Sequence, residues 1–271
     1  MSGDFDVWML DTIRETTSRL TSERSIDVQP VWAPDGSGVA FTSNSTGNFG
    51  IWKKNAGGGA SELLLDTQED FIRVRDWSRD GRSIAYVRAS PDTGWDIWAL
   101  PLPLTGAPNE RKSFPVVATS HNEREPVFSP DARWIAYQSD ETGRFEIYAQ
   151  PFPGPGGRVH ISNSGGVQPR WRANGREIFY IAPDRTLMAA PVVMSPNGKS
   201  LAPQAPVRLF QTRIAGGAVP GGPNKQQYDV SSDGQRFIIN TLIEENSSSP
   251  ITVILNWTAR SRVSTPNDRP R

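Results

Sequence analysis

Arg73, Arg124, Glu125, Gln168 and Gln227 stand three or four residues before a recurring, mostly aromatic anchor residue. Two guanidinium groups, a carboxylate and two carboxamides can take up a peptide end or a loop through charge-assisted hydrogen bonds, provided the fold brings them together. The plain alternative is a solvated rim. Covalent chemistry asks for other residues. A serine hydrolase needs a strained Gly-x-Ser-x-Gly elbow, and the nearest stretch, Gly81-Arg82-Ser83-Ile84-Ala85, lacks the second glycine. There is no cysteine to serve as nucleophile or thiolate ligand. His121 and His160 have no histidine or carboxylate partner at ligand spacing, which leaves no metal site to predict. Asp35, Asp80, Asp131 and Asp233 recur inside a turn that already explains them, and Asp96 and Glu146 precede short apolar strands as loop caps. Nothing singles out the carboxylate pair that a glycosidase holds about 5–10 Å apart. The sequence thus predicts no catalytic residue and no cofactor, and one candidate binding set.

Bulk properties narrow the partners. Twenty-nine basic residues balance twenty-nine acidic ones, which disfavours nucleic acid or an anionic membrane as the main partner. No apolar run reaches the roughly 18–20 residues needed to cross a bilayer, and MSGDFDVWML has neither the basic nor the apolar region of a signal peptide. Without cysteine, the chain suits periplasm and cytosol alike.

What must position the candidate residues is a repeat. A strand-turn-strand unit begins with Trp32-Ala33-Pro34-Asp35-Gly36 and returns at Trp77-Ser78-Arg79-Asp80-Gly81, Phe128-Ser129-Pro130-Asp131-Ala132, Trp171-Arg172-Ala173-Asn174-Gly175 and Val230-Ser231-Ser232-Asp233-Gly234. Anchors at 32, 77, 128, 171 and 230 give steps of 45, 51, 43 and 59 residues, and a propeller blade takes about 40–50. The long step holds the Gly/Pro loop Ala215–Gln227. In the turn, proline presets φ, aspartate bonds its own backbone and glycine accepts a positive φ. Ala132 and Asn174 depart from that pattern.

Second strands follow as VAF (39–41), IAY (84–86), IAY (135–137), IFY (178–180) and FII (237–239). Alternation sends the outer two residues to one face and the middle one to the other. Both faces are apolar, as stacked sheets require. Third strands are GIW (50–52), DIW (96–98), EIY (146–148), TLM (186–188) and ITVIL (251–255). The chain opens on a third-strand element, DVW (6–8), and a fourth, SRLT (18–21), with no hairpin before them. It is expected either to be cut from a longer propeller or to close by a looser clasp. Trp8, Trp32, Trp52, Trp77, Trp98 and Trp171 are expected to pack between blades. Trp95 and Trp134 lie off the anchors and are expected to be exposed.

The element PVWAPDGSGVAFTS…GIW resembles the WD-like repeat of TolB-type propellers. The stretches EIYAQPFPGPGGRVHISNSGGVQPRWRANGREIFYIAPDRTLMAAPV, YDVSSDGQRFIIN and ITVILNW resemble the C-terminal propeller of large bacterial proteins, several of them membrane-tethered serine/threonine kinases. The likeness covers roughly residues 4–257. It implies a sensing or protein-binding module, often periplasmic, and no catalytic residue; a kinase Gly-rich loop, His-Arg-Asp loop and Asp-Phe-Gly are all missing from the chain.

The reading is an all-β propeller of four-stranded antiparallel blades, five to six in number. A single domain is expected over 1–257, with a partial blade at 4–24, repeats near 27–66, 71–119, 122–164, 166–212 and 226–257, and a polar tail at 258–271. Its expected role is non-catalytic: binding a protein, a peptide or a small ligand at the channel mouth, without nucleic acid or membrane insertion, and with self-association possible through an open blade edge. The rival is the propeller of a hydrolase, such as the gate of a prolyl-oligopeptidase-type peptidase or a glycosidase-like propeller.

Overall fold

The computed structural model describes residues 5–67, 71–103, 106–154, 156–214 and 226–241. Every element among them is a β-strand. β1 (Trp8–Asp11) and β2 (Thr16–Arg19) form a two-stranded sheet. Four larger sheets follow. The first is β3 (Val28–Trp32), β4 (Gly38–Ser43), β5 (Gly50–Asn55) and β6 (Glu62–Leu65). The second is β7 (Ile72–Trp77), β8 (Ser83–Ser90), β9 (Gly94–Pro101) and β10 (Phe114–Val117). The third is β11 (Glu123–Phe128), β12 (Trp134–Ser139), β13 (Glu146–Pro151) and β14 (Val159–His160). The fourth is β15 (Val167–Trp171), β16 (Glu177–Ile181) and the long β17 (Thr186–Met194), which pairs with both β18 (Leu201–Pro203) and β19 (Val207–Gln211). β20 (Tyr228–Val230) and β21 (Phe237–Ile239) form a last pair. Each sheet is antiparallel and runs in chain order, the meander of a propeller blade. Residues 251–255 and 258–271 lie outside the described residues.

The turn chemistry explains the hairpins. Asp35 Oδ1 accepts the amide of Ser37 at 2.9 Å, and Asp80, Asp131, Asn174 and Asp233 do the same two residues ahead. Gly36, Gly81, Gly175 and Gly234 sit at φ between 69° and 75°. Ala132 takes the same left-handed conformation at φ 57°, where a Cβ costs about 1–2 kcal/mol.

The second strands carry the alternation. Val39 and Phe41 pack toward Val7 and Leu20 of the N-terminal pair, while Ala40 faces Ile72, Ile84 and Tyr86 of the next sheet. Ala85 and Val87 in turn face Ile135 and Tyr137, and Ala136 faces Ile178 and Tyr180. Phe179 and Ile181 meet Tyr228. Every residue of β4 and β12 is buried. Neither face of these central strands meets water, and each fully buried isoleucine contributes about 1.5–3 kcal/mol.

The tryptophans divide differently from expectation. Trp134 is 1% exposed and its Nε1 donates to the Gly198 carbonyl at 3.0 Å. It starts a second strand, and the 195–200 turn closes over its ring from 64 residues away. Trp8 and Trp32 are instead 59% and 56% exposed; among the described residues, β1 pairs with β2 alone.

Candidate functional site at the channel mouth

The innermost strand of each sheet breaks register at one place. Shifts fall between Val28 and Val31, Val74 and Asp76, Arg124 and Val127, and Val167 and Arg170. In three of them the bulge residue is left-handed and precedes a proline: Gln29 (φ 56°), Glu125 (φ 51°) and Gln168 (φ 57°). A bulge re-aims side chains. Here Glu125 and Gln168 meet the inner strands of neighbouring sheets.

The five residues chosen from sequence all sit at these bulges or at the strand entries, where they are partly or fully buried. Arg73 stacks over Phe49 and Phe71, 5.1 and 5.7 Å from the ring centroids. Arg124 lies 5.4 Å from the Trp95 centroid and 5.8 Å from that of Phe145. Burial lowers the pKa of both guanidiniums; the Arg75 charge adds to this at Arg73 and at Arg124, where Asp140 opposes it. Glu125 is buried and pairs with Arg75 at 3.1 Å. Gln168 stitches blades together: its amide donates to Gln138 Oε1 at 2.9 Å, and its own Oε1 accepts from the Gln227 amide at 2.8 Å. Gln227 is buried beside it.

The structure adds a layer that sequence reasoning missed. One residue before the anchors stand Val31, Asp76, Val127, Arg170 and Asp229. Asp76 is half-buried, and its Oδ2 accepts the Phe128 amide of the next blade at 2.7 Å. Burial pushes its pKa up to about 6, against the attraction of Arg170 and the Phe128 N–H, and the Asp229 charge adds to the rise. Asp76, Arg170 and Asp229 belong to three different sheets, so the fields felt between them act from blade to blade. Arg170 Nε lies 3.6 Å from Asp229 Oδ1. The signal was present in sequence: three charges occupy a slot that is valine in the other two repeats.

Several donors here remain unspent. The Nε atoms of Arg75, Arg124 and Arg170 are buried without a hydrogen-bond acceptor among the described residues, as are the Oε1 acceptors of Gln29 and Gln227 without a donor. A guanidinium carries five N–H donors in a planar fork that matches a carboxylate.

The residues weighed for catalysis have structural partners. Ser83 begins β8, with its amide bonded to Ser78 Oγ at 2.9 Å. Glu146 is buried, accepting from Arg144 Nε at 2.7 Å, the Gly165 amide at 2.8 Å and Ser162 Oγ. Asp96 accepts from Thr93 Oγ1 at 2.7 Å. His160 stacks on Tyr148 with centroids 4.8 Å apart. No group of three or more histidine, aspartate or glutamate side chains able to hold a metal occurs among the described residues.

No protein-family profile matches the chain. Tricorn protease homolog 1 of Streptomyces coelicolor is 25% identical over 221 residues, which is 79% of this chain and 20% of that protein. The chain thus spans about a fifth of the curated relative it matches. Among solved structures, TolB from Acinetobacter baumannii superposes with a TM-score of 0.59 at 19% identity, over 84% of this chain and 52% of that one. A protein assigned to TolB from Agrobacterium tumefaciens gives 0.55 at 20% identity, over 73% and 72%. A puromycin-hydrolyzing peptidase of Mycobacterium tuberculosis gives 0.53 at 17%, over 74% of this chain and 34% of the peptidase. At these identities the likeness is one of architecture, and together with the meandering blades it gives the chain a β-propeller fold.

Proposed function

We propose that the chain is a non-catalytic binding module that receives an acidic or carboxylate-ended peptide segment at the channel mouth, as the sensing part of a larger extracytoplasmic protein such as a receptor-type kinase or a TolB-like protein. The observation that carries this reading is the set of buried arginine Nε donors, on Arg75, Arg124 and Arg170, that have no hydrogen-bond acceptor among the described residues at the bulged ends of the inner strands. Arg73 and Arg124, each over aromatic rings 5.1–5.8 Å away, supply guanidinium forks at the entrance. The family resemblance supports the compartment and the parentage.

A titration of short acidic and neutral peptides into the purified chain tests this. Acidic peptides bind, more weakly at high salt. Arg124→Ala and Arg170→Ala each lower affinity about 10- to 100-fold, the equivalent of about 1.5–3 kcal/mol for a hydrogen bond to a charged group. Equal binding of acidic and neutral peptides, or no effect of either substitution, would refute it.

A second reading has its own support. The match to a fifth of a tricorn protease homologue, and the fold likeness to a peptidase of which this chain covers a third, fit a propeller that gates a hydrolase. Esterase, peptidase or glycosidase turnover abolished by one substitution in this chain would favour a hydrolase reading over the binding one.

A further inference from the structure

The slot three residues before each anchor holds Gln29, Val74, Glu125, Gln168 and Gln227. Glu125 is the one carboxylate in a slot that three other repeats fill with glutamine. The glutamine can join blades, as Gln168 does when its Oε1 accepts the Gln227 amide of the next hairpin at 2.8 Å. One boundary earlier that duty has passed to the second strand: Gln138 Oε1, on β12, accepts the Gln168 amide at 2.9 Å. Thr42 Oγ1, on β4, takes the Val74 amide in the same way at 3.0 Å. Glu125 keeps the backbone of the slot, with φ 51° against 56° and 57° at Gln29 and Gln168. Its side chain, released from joining the next blade, turns back to the preceding one, where Oε1 lies 3.1 Å from Arg75 Nη2.

Arg75 is the matching departure. The residue after the slot is Pro30, Pro126 or Pro169 in three repeats and Tyr228 in the last. The two side chains that break the repeat pattern therefore meet each other across one blade boundary.

The contact is incomplete. In a guanidinium, Nη2 and the Nε–H share one edge, which a carboxylate can grip with both oxygens. Glu125 engages the Nη2 prong, and the Nε prong beside it is buried without an acceptor among the described residues. Both side chains are largely withdrawn from water, at 12% and 8% exposure. Arg124, next to Glu125 in the chain, also has a buried Nε without an acceptor among the described residues and lies within the field of the Arg75 charge.

We infer that Glu125 is an internal stand-in for the ligand's carboxylate: it holds one prong of Arg75 in the free protein and yields when an acidic peptide grips the whole Nε–Nη2 edge. This rests on the reading of the mouth as an acidic-peptide site and adds the source of its selectivity. A carboxamide brings one oxygen and cannot take both prongs. A carboxylate can, and it replaces the counter-charge that Glu125 gives up. Neutralising Glu125 leaves Arg75 buried without that counter-charge until ligand arrives, so the variant binds acidic ligand more tightly and the free chain is less stable.

Calorimetric titration of a triglutamate peptide, with a triglutamine amide beside it, into full-length chains tests the inference. Glu125→Gln installs the residue found at the slot in three other repeats. It is expected to bind triglutamate about tenfold more tightly than the parent, with no gain for triglutamine amide. Its thermal midpoint falls below that of the parent and is restored by saturating triglutamate. In an Arg75→Gln background the same change brings no gain, whereas a general effect of lost negative charge would persist there. Glu125→Asp keeps the charge but shortens the reach, and tightens binding about threefold, so the outcome does not hang on one variant. Binding by Glu125→Gln alone, with none by the parent, also supports the stand-in role. An unchanged or weaker affinity of Glu125→Gln and Glu125→Asp, while Arg124→Ala still weakens binding, overturns this inference and leaves the acidic-peptide reading intact. A gain that survives loss of Arg75 overturns it as well. Absence of binding by every chain overturns both.

Discussion

Replacing Asp76 with asparagine removes a half-buried charge while keeping the oxygen that accepts the Phe128 amide. The magnitude follows from the carboxyl's environment. Its pKa in the folded chain is about 6, against 3.8 for an ordinary aspartate. The folded state therefore holds this proton more tightly than the unfolded state does. Stability from this group is fully present below about pH 3.8 and is lost as pH rises through about 6. The loss totals about 3 kcal/mol, of which about 2 kcal/mol falls between pH 4.5 and 7.5. Asp96 and Glu123, also raised by burial, tilt the profile the same way. The Asp76→Asn chain keeps their contributions and loses only its own. Urea unfolding of both proteins at the two pH values isolates the difference. At pH 4.5 the parent stays within about 1 kcal/mol of the variant, and at pH 7.5 the variant is the more stable by about 1–3 kcal/mol, less whatever attraction to Arg170 is given up. Asp76→Ala behaves oppositely: it strands the Phe128 N–H and lowers stability by about 1–3 kcal/mol. Parallel pH profiles for the parent and the asparagine variant would refute the reasoning.

Two further substitutions follow from the fold. Ala132→Gly relieves the only non-glycine among the five left-handed turn positions and should stabilise by about 1 kcal/mol, a rise of about 2–4 °C in thermal midpoint. Trp134→Ala should lower stability by about 3–5 kcal/mol in urea titration, whereas Trp32→Ala, measured in dilute solution, should stay within about 1 kcal/mol of the parent.

The blades were legible because their causes are local. The Pro-Asp-Gly turn acts within four residues, and the large-small-large triplets report that both faces of a strand are dry, as Ala40, Ala85 and Ala136 confirm. The half-blade at the start was legible for the same reason, since DVW repeats GIW and DIW. Trp134 was misplaced because its cover, the turn carrying Gly198, arrives from another blade and leaves no trace in local alternation. At the mouth, residue types could be chosen by their distance from the anchors. Their partners could not, because the pairing of Arg75 with Glu125 and the bond from Gln227 to Gln168 join different blades. Asp76, Arg170 and Asp229 formed a readable column of charge, but only the packing of successive sheets gives that column a meaning.

The most direct test of sheets arranged around one axis is a double-mutant cycle between Asp76 and Arg170, 94 residues apart in the chain. Asp76→Asn, Arg170→Met and the double variant are compared with the parent by urea unfolding at pH 7.5. A coupling of about 1 kcal/mol, attractive in sign, is expected for charges that meet across the channel; strict additivity, within about 0.3–0.5 kcal/mol, would contradict it.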